Sequence, residues 1–305
     1  MPKKPTRMLT IEQQLAARRL ACPVTHEPLV ARNECLETPD GARRYPLVNG
    51  VPILFGDKTR QTQYLHAGGG KMAREYTQRA TLQGRLRAFL LRIVTLGGDY
   101  RSKASRDAFH RAVAEQPADA LCLSIGGGPS RGHPSLINLN VGLFANVDVV
   151  ADAYELPYTA GSVDAVCCEA VLEHLEFPQR SVAEMWRVLK PGGQVFAATP
   201  FLQLYHGYPD HYQNFTLTGH QRLFERAGFS IISSGACVGP TFALTQLCMA
   251  YARYYTPTNA LKYVAAGLAV MIALPLRPLD YLINNAPAAH ILASTTYVHA
   301  VKPSA

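Results

Sequence analysis

The residues best suited to chemistry crowd into one stretch, "PFLQLYHGYPDHYQNFT", Pro200 to Thr216. It holds His206, His211, Asp210, three tyrosines and Asn214. An imidazole beside a carboxylate is the composition of a general base, with His206 taking the proton and Asp210 orienting the ring. Upstream, "EAVLEH" runs from Glu169 to His174, and His174 is the alternative base. In "LSIGGGPSRG" a short apolar run meets Gly126, Gly127 and Gly128. Glycines after a buried strand let the backbone approach a nucleotide-like group with no Cβ in the way.

These groups need a scaffold, and from residue 118 the pattern supplies one. "ALCLSIG", "SLINLNVG", "NVDVVAD", "SVDAVCCEAV", "QVFAATPF", "FSIISSGACVG" and "STTYVHAVK" read as seven strands. A helix is expected over Pro178–Leu189, with proline at its start and "KPGG" beyond its end, and another over "TLTGHQRLFERAG". Strands alternating with helices predict an α/β domain, Rossmann-like and mostly parallel, with ligands at the strand C-terminal ends. Only twelve residues separate Gly128 from Asn140, and Pro129 and Pro134 lie between them. The first crossover therefore has room for one or two helical turns at most.

Residues 120–238 resemble the class I S-adenosylmethionine-dependent methyltransferases of type 11. The run "ADAYELPYTAGSVDAVCCEAVLEHLEFPQRSVAEMWRVLKPGG" carries that family's Asp-x-x-x-Leu-Pro, Ser-Val-Asp, Leu-Glu-His and Leu-Lys-Pro-Gly-Gly elements in order. The resemblance implies a seven-stranded sheet, S-adenosylmethionine as cofactor and methyl transfer as the reaction. It places the methionine and ribose parts of the cofactor at Gly126–Gly128 and its adenine at Asp152 and Ala153. Glu169 is counted with the cofactor contacts, the run from it to His174 opens toward the acceptor, and Asp164 is structural. Two positions depart from the family: its acid before the glycine loop is Ser124 here, and its ribose-binding acid is Asn140. Asparagine keeps a hydrogen bond but loses charge assistance, which roughly halves its strength.

The N-terminal residues 1–59 form a small β-rich unit. "YPLVNGVP" predicts a tight hairpin, with positive φ at Asn49 and Gly50. The segment resembles the zinc-ribbon-like fold of the tRNA-methyltransferase activator family. Tetrahedral zinc needs four ligands; Cys22, His26 and Cys35 offer three at most, so no metal is expected. Residues 60–117 read as a linker and basic helical segment that includes "LRAFLLRIV", with "HAGGGK" as a joint.

A hydrophobic share of 48% with 17% charged residues excludes a disordered chain. Seven scattered cysteines and no apolar leader predict a reduced, cytoplasmic protein. The formal charge of +8 is concentrated in residues 1–117, which hold 20 of the 30 basic residues. That third lacks aromatics interleaved with its arginines, which argues against nucleic acid as a partner. Residues 240–291 read as an insert of two apolar helices, with three uses open: a cap over an apolar or lipid-linked acceptor, a shallow membrane contact through 240–283, or a homodimer face. Methyl transfer to an oxygen or nitrogen of a small molecule, glycan or lipid-linked intermediate is the reading adopted. A binding protein that has lost catalysis, or an RNA-associated protein using its basic third, are the alternatives.

Overall fold

The computed structural model describes residues 8–32, 34–59, 100–128, 131–143, 145–207, 210–258, 261, 264, 267–268, 271 and 274–304. The chain begins with helix α1 (Ile11–Ala16), started by a reciprocal capping box between Thr10 and Gln13. Strands β1 (Val30–Arg32), β2 (Cys35–Glu37), β3 (Arg44–Val48) and β4 (Val51–Leu54) follow, each antiparallel to the last. Asn49 and Gly50 turn β3 into β4 with φ of 52° and 78°, the mirror-image turn that two-residue hairpins require. The expected helix at "LRAFLLRIV" and the joint at "HAGGGK" lie outside the described residues.

Helix α2 (Lys103–Phe109), continued by a π-turn to Ala114, leads into β5 (Cys122–Ile125), β6 (Leu136–Asn140) and β7 (Val149–Ala151). Then come β8 (Val163–Glu169), α3 (Pro178–Val188), β9 (Leu189–Pro200), α4 (Leu217–Arg226) and β10 (Ser230–Val238). Helices α5 (Pro240–Tyr255) and α6 (Asp280–Ile283) precede the last strand, β11 (Thr295–Val301).

One sheet runs β1-β2-β3-β4-β7-β6-β5-β8-β9-β11-β10. It has eleven strands where seven were expected. The reason is at the β7 edge, where β4 pairs in parallel, Ile53 against Val150 and Leu54 against Ala151. An open edge strand exposes unpaired backbone groups, and β4 satisfies them. Leu20, Leu29, Leu36, Tyr45 and Leu54 accordingly pack in the same apolar cluster as Leu121, Leu123 and Val166. The connection from β5 to β6 stays within the expected limit: among its described residues there is no helical turn. Arg131 holds that loop instead, with its guanidinium on both carboxylate oxygens of Asp148 and on the Leu136 carbonyl. Asp164 has its expected structural role, accepting from Leu121 N at 2.9 Å and from Lys190 Nζ at 2.6 Å.

The insert after β10 is tied down at its base. Asp280, fully buried, accepts from the backbone N–H groups of Thr241 and Phe242, both at 3.0 Å, and so caps α5. Much of the second expected insert helix, residues 261–283, falls outside the described residues. No helix among the described residues is long and apolar enough to cross a membrane.

His220 of α4 is buried against Thr296, and burial lowers its pKa to about 3. The folded chain therefore keeps this ring neutral where the unfolded chain, titrating near pH 6.5, takes up a proton. Its contribution is complete above that value and drains away as pH falls toward the folded pKa. Denaturant melts at pH 7 and pH 4 should show wild type losing about 3 kcal/mol more stability than His220→Gln. Equal losses would mean that His220 is not the acid-sensitive group.

Candidate functional site

The C-terminal ends of β5 to β9 meet on one side of the sheet, and every expected site residue lies there. Gly126 and Gly128 take φ of 69° and 65°, a region that a side chain enters at a cost of about 1 kcal/mol or more. A Cβ on Gly126 would run into Val171. One on Gly127 would meet Ser124 Oγ at 2.5 Å and Asn138 Oδ1 at 2.8 Å. All three glycines are partly exposed, and a Cβ on Gly128 would meet nothing within 4 Å.

Asn138, to which no role was assigned from sequence, braces this loop from β6. Its Nδ2 donates to the carbonyls of Gly128 and Asn146, both at 2.8 Å, while its buried Oδ1 has no partner. Asn140 ends β6 nearly buried, and its Oδ1 accepts from Gly142 N at 3.2 Å. Asp152 and Ala153 follow β7, and Asp152 Oδ1 accepts from Tyr154 N at 2.9 Å. The loop, Asn140 and Asp152 thus sit at the C-terminal ends of the adjacent strands β5, β6 and β7.

Glu169 is not an open carboxylate. Arg101, from the segment before α2, grips it in a two-point pair at 2.9 and 2.8 Å. This pair anchors the end of β8 to the segment before α2. Just beyond, Ala170 adopts φ of 53°, uncommon for a residue with a Cβ. That kink throws Val171 across Gly126 and starts the short 3-10 turn Leu172–His174.

Glu173 in that turn is wholly buried. Its Oε2 accepts from Thr199 Oγ1 of β9 at 3.1 Å, and its Oε1 has no hydrogen-bond partner. His206 Nε2 lies 3.7 Å and His174 Nε2 3.8 Å from Oε1. Both are beyond hydrogen-bond length, so the attraction is electrostatic. The Glu173 carboxylate raises the pKa of His206 above the usual imidazole range, with partial burial opposing it. The expected pairing of His206 with Asp210 is corrected here. Asp210 offers His174 Nδ1 only its backbone carbonyl, at 2.6 Å, and its side chain raises the pKa of the Tyr212 hydroxyl. The carboxylate facing His206 is Glu173, because the 3-10 turn carries it inward against β9 while the loop holds Asp210 outside. A carboxylate inside an apolar run, directly before a histidine, was the signal available in "VLEHLEF".

Cys22, His26 and Cys35 do not assemble. The Cys22 thiol contacts the Tyr45 hydroxyl at 3.0 Å, and Cys35 Sγ lies 3.0 Å from the Arg32 carbonyl. Among the described residues, the group with metal-ligand spacing is Glu173, His174 and His206.

Residues 134–197 match the family model of a methyltransferase domain. Two uncharacterized chloroplastic methyltransferases of Arabidopsis thaliana are similar over a short stretch. One is 52% identical over 54 residues, 18% of this chain and 15% of its own length. The other is 48% identical over 59 residues, 19% and 16% respectively. The alignments thus span only 15% and 16% of the length of these curated relatives. Among solved structures, the [4+2]-cyclase SpnF is similar at 18% identity and TM-score 0.43, over 72% of this chain and 93% of that one. A Haemonchus contortus phosphoethanolamine N-methyltransferase in complex with S-adenosyl-L-methionine is similar at 17% identity and TM-score 0.42, over 80% and 66%.

Proposed function

We propose that this chain, which matches a methyltransferase domain over residues 134–197, transfers a methyl group from S-adenosylmethionine to an oxygen or nitrogen of a lipid-linked acceptor. The observation that carries the reading is the convergence, at one end of the sheet, of an open glycine loop with a buried carboxylate facing two imidazoles. Gly126–Gly128, Asn140, Asp152 and Ala153 are the residues that would hold the cofactor. Bound there, its sulfonium supplies an electrophilic methyl group.

The rest falls to the chain's own residues. Strand ends fix both partners in place, and positioning of this kind accounts for much of the rate in a displacement reaction. His206 Nε2, on a side chain 39% exposed, is the atom set to receive the acceptor's proton, with Glu173 behind it to stabilise the charged ring. His174 is held by the Asp210 carbonyl and flanks the same space.

The insert supports an apolar acceptor. Leu244, Leu247, Tyr251, Tyr254 and Tyr255 follow helical spacing along α5 and are exposed, Tyr255 by 75%. A contiguous apolar stripe in water marks a contact surface, and here it would rest shallowly in a membrane beside the acceptor.

Calorimetric titration with S-adenosylmethionine should give a Kd below about a millimolar. Absence of heat and of a thermal shift at millimolar ligand would overturn the reading. Supplied with labelled cofactor and a cell extract, the protein should label the lipid fraction; label confined to the aqueous fraction would remove the lipid-linked acceptor.

A further inference from the structure

Three side-chain atoms converge at the acceptor end of the site. Glu173 Oε1, His174 Nε2 and His206 Nε2 all lie within 4.8 Å of each other. The carboxylate is fully buried and this oxygen has no hydrogen-bond partner, an expensive arrangement for a charged group.

The ring nitrogens on the far side settle how the two imidazoles are presented. His174 Nδ1 lies 2.6 Å from the Asp210 carbonyl, and His206 Nδ1 lies 2.9 Å from the Leu204 carbonyl. A carbonyl oxygen only accepts, so each Nδ1 carries a proton, and Nε2 is the ring atom left to face Glu173 and to offer a lone pair when the ring is neutral. Histidines that ligate metals are held in the same manner, by donating the other ring N–H to a carbonyl or carboxylate. Thr199 plays the matching part for Glu173, donating its hydroxyl to Oε2 and leaving Oε1 free to face the rings.

His211 is a support and not a fourth ligand. Its Nδ1 accepts from the His206 backbone N–H at 3.2 Å, and its Nε2 is 2.7 Å from Asn214 Oδ1. Tilted 55° to the His206 ring with centroids 4.4 Å apart, it steadies that ring from outside.

We propose that Glu173 Oε1, His174 Nε2 and His206 Nε2 bind a divalent d-block metal ion, with zinc as the best match and its remaining position open to the acceptor. Two imidazoles and one carboxylate are donors for zinc and its neighbours, whereas magnesium and calcium prefer all-oxygen shells. Zinc bonds of about 2.0–2.2 Å bring tetrahedral ligand atoms to roughly 3.4 Å from one another. The two Glu173 edges, at 3.7 and 3.8 Å, need only a small contraction. The inference rests on the reading that this cluster faces the acceptor and refines it. With the ion bound, His206 Nε2 is a ligand and no longer the base, and an acceptor hydroxyl on the ion would become acidic enough to lose its proton to solvent.

The test uses the full chain, stripped with a chelator and dialysed. Cobalt(II) should saturate at one equivalent with the visible absorption of a low-coordinate site, and zinc should displace it and raise the melting temperature. His206→Ala and Glu173→Gln should each weaken zinc binding at least tenfold, while Cys35→Ala should leave it unchanged. If Glu173→Gln fails to fold, the partly exposed His206 decides the matter alone. Binding weaker than about 100 μM, or wild-type affinity in His206→Ala, would overturn the proposal. Calorimetry with S-adenosylmethionine on the same stripped protein separates the two readings. Cofactor binding without metal binding sinks the ion only, and metal binding without cofactor binding sinks methyl transfer only.

Discussion

Glu173→Gln is expected to lower the rate of methyl transfer at least a hundredfold while leaving the affinity for S-adenosylmethionine within a few-fold of wild type. Glutamine keeps the shape of the side chain and an oxygen for Thr199, but not the negative charge. That charge stabilises the imidazolium that His206 becomes on taking a proton, and proton transfer by a positioned group contributes on the order of 10² to 10⁴ in rate. The amide keeps the buried shape and the hydrogen bond from Thr199, so the turn that sets Val171 against Gly126 keeps its place and cofactor affinity has no direct reason to change. Single-turnover transfer measured beside calorimetric cofactor binding makes the check. An unchanged rate would show that the Glu173–His206 contact at 3.7 Å is architecture only.

Gly126→Val should abolish measurable binding of S-adenosylmethionine. Two separate physical effects act at this position. The φ of 69° is costly for a β-branched residue, and the new side chain would occupy the space that Val171 fills. A loop pushed off its course withdraws the backbone that the cofactor needs. The two effects can be told apart, because Gly126→Ala combined with Val171→Ala restores the space but not the backbone freedom. The double variant should recover part of the affinity lost in Gly126→Ala alone. Wild-type affinity in Gly126→Val would place the cofactor away from this loop.

Local chemistry made much of this fold legible. Asn49-Gly50 demanded a mirror-image hairpin turn, and Pro178 with the glycines after Leu189 marked the limits of α3. Alternation of apolar runs with helical stretches identified β5 to β11, since burial on both faces leaves an unbroken apolar strand. The glycines of the loop were legible because few residues other than glycine tolerate φ near +65°. The eleven-stranded sheet was not legible, because no local signal in "VPIL" says that β4 will pair with β7.

The candidate site divides along the same line. By itself the sequence determined which kinds of group are present: a glycine loop, an acid following β7, and histidines in the loop after β9. Only the tertiary structure decided which of them meet. Arg101, 68 positions away, closes on Glu169, and Glu173 takes the place beside His206 that Asp210 held on sequence spacing alone. Spacing along a chain predicts partners only where the backbone is regular, and the loop after β9 is not. Across that loop, the burial of one carboxylate against Thr199 fixes the geometry, and burial is a property of the packed fold.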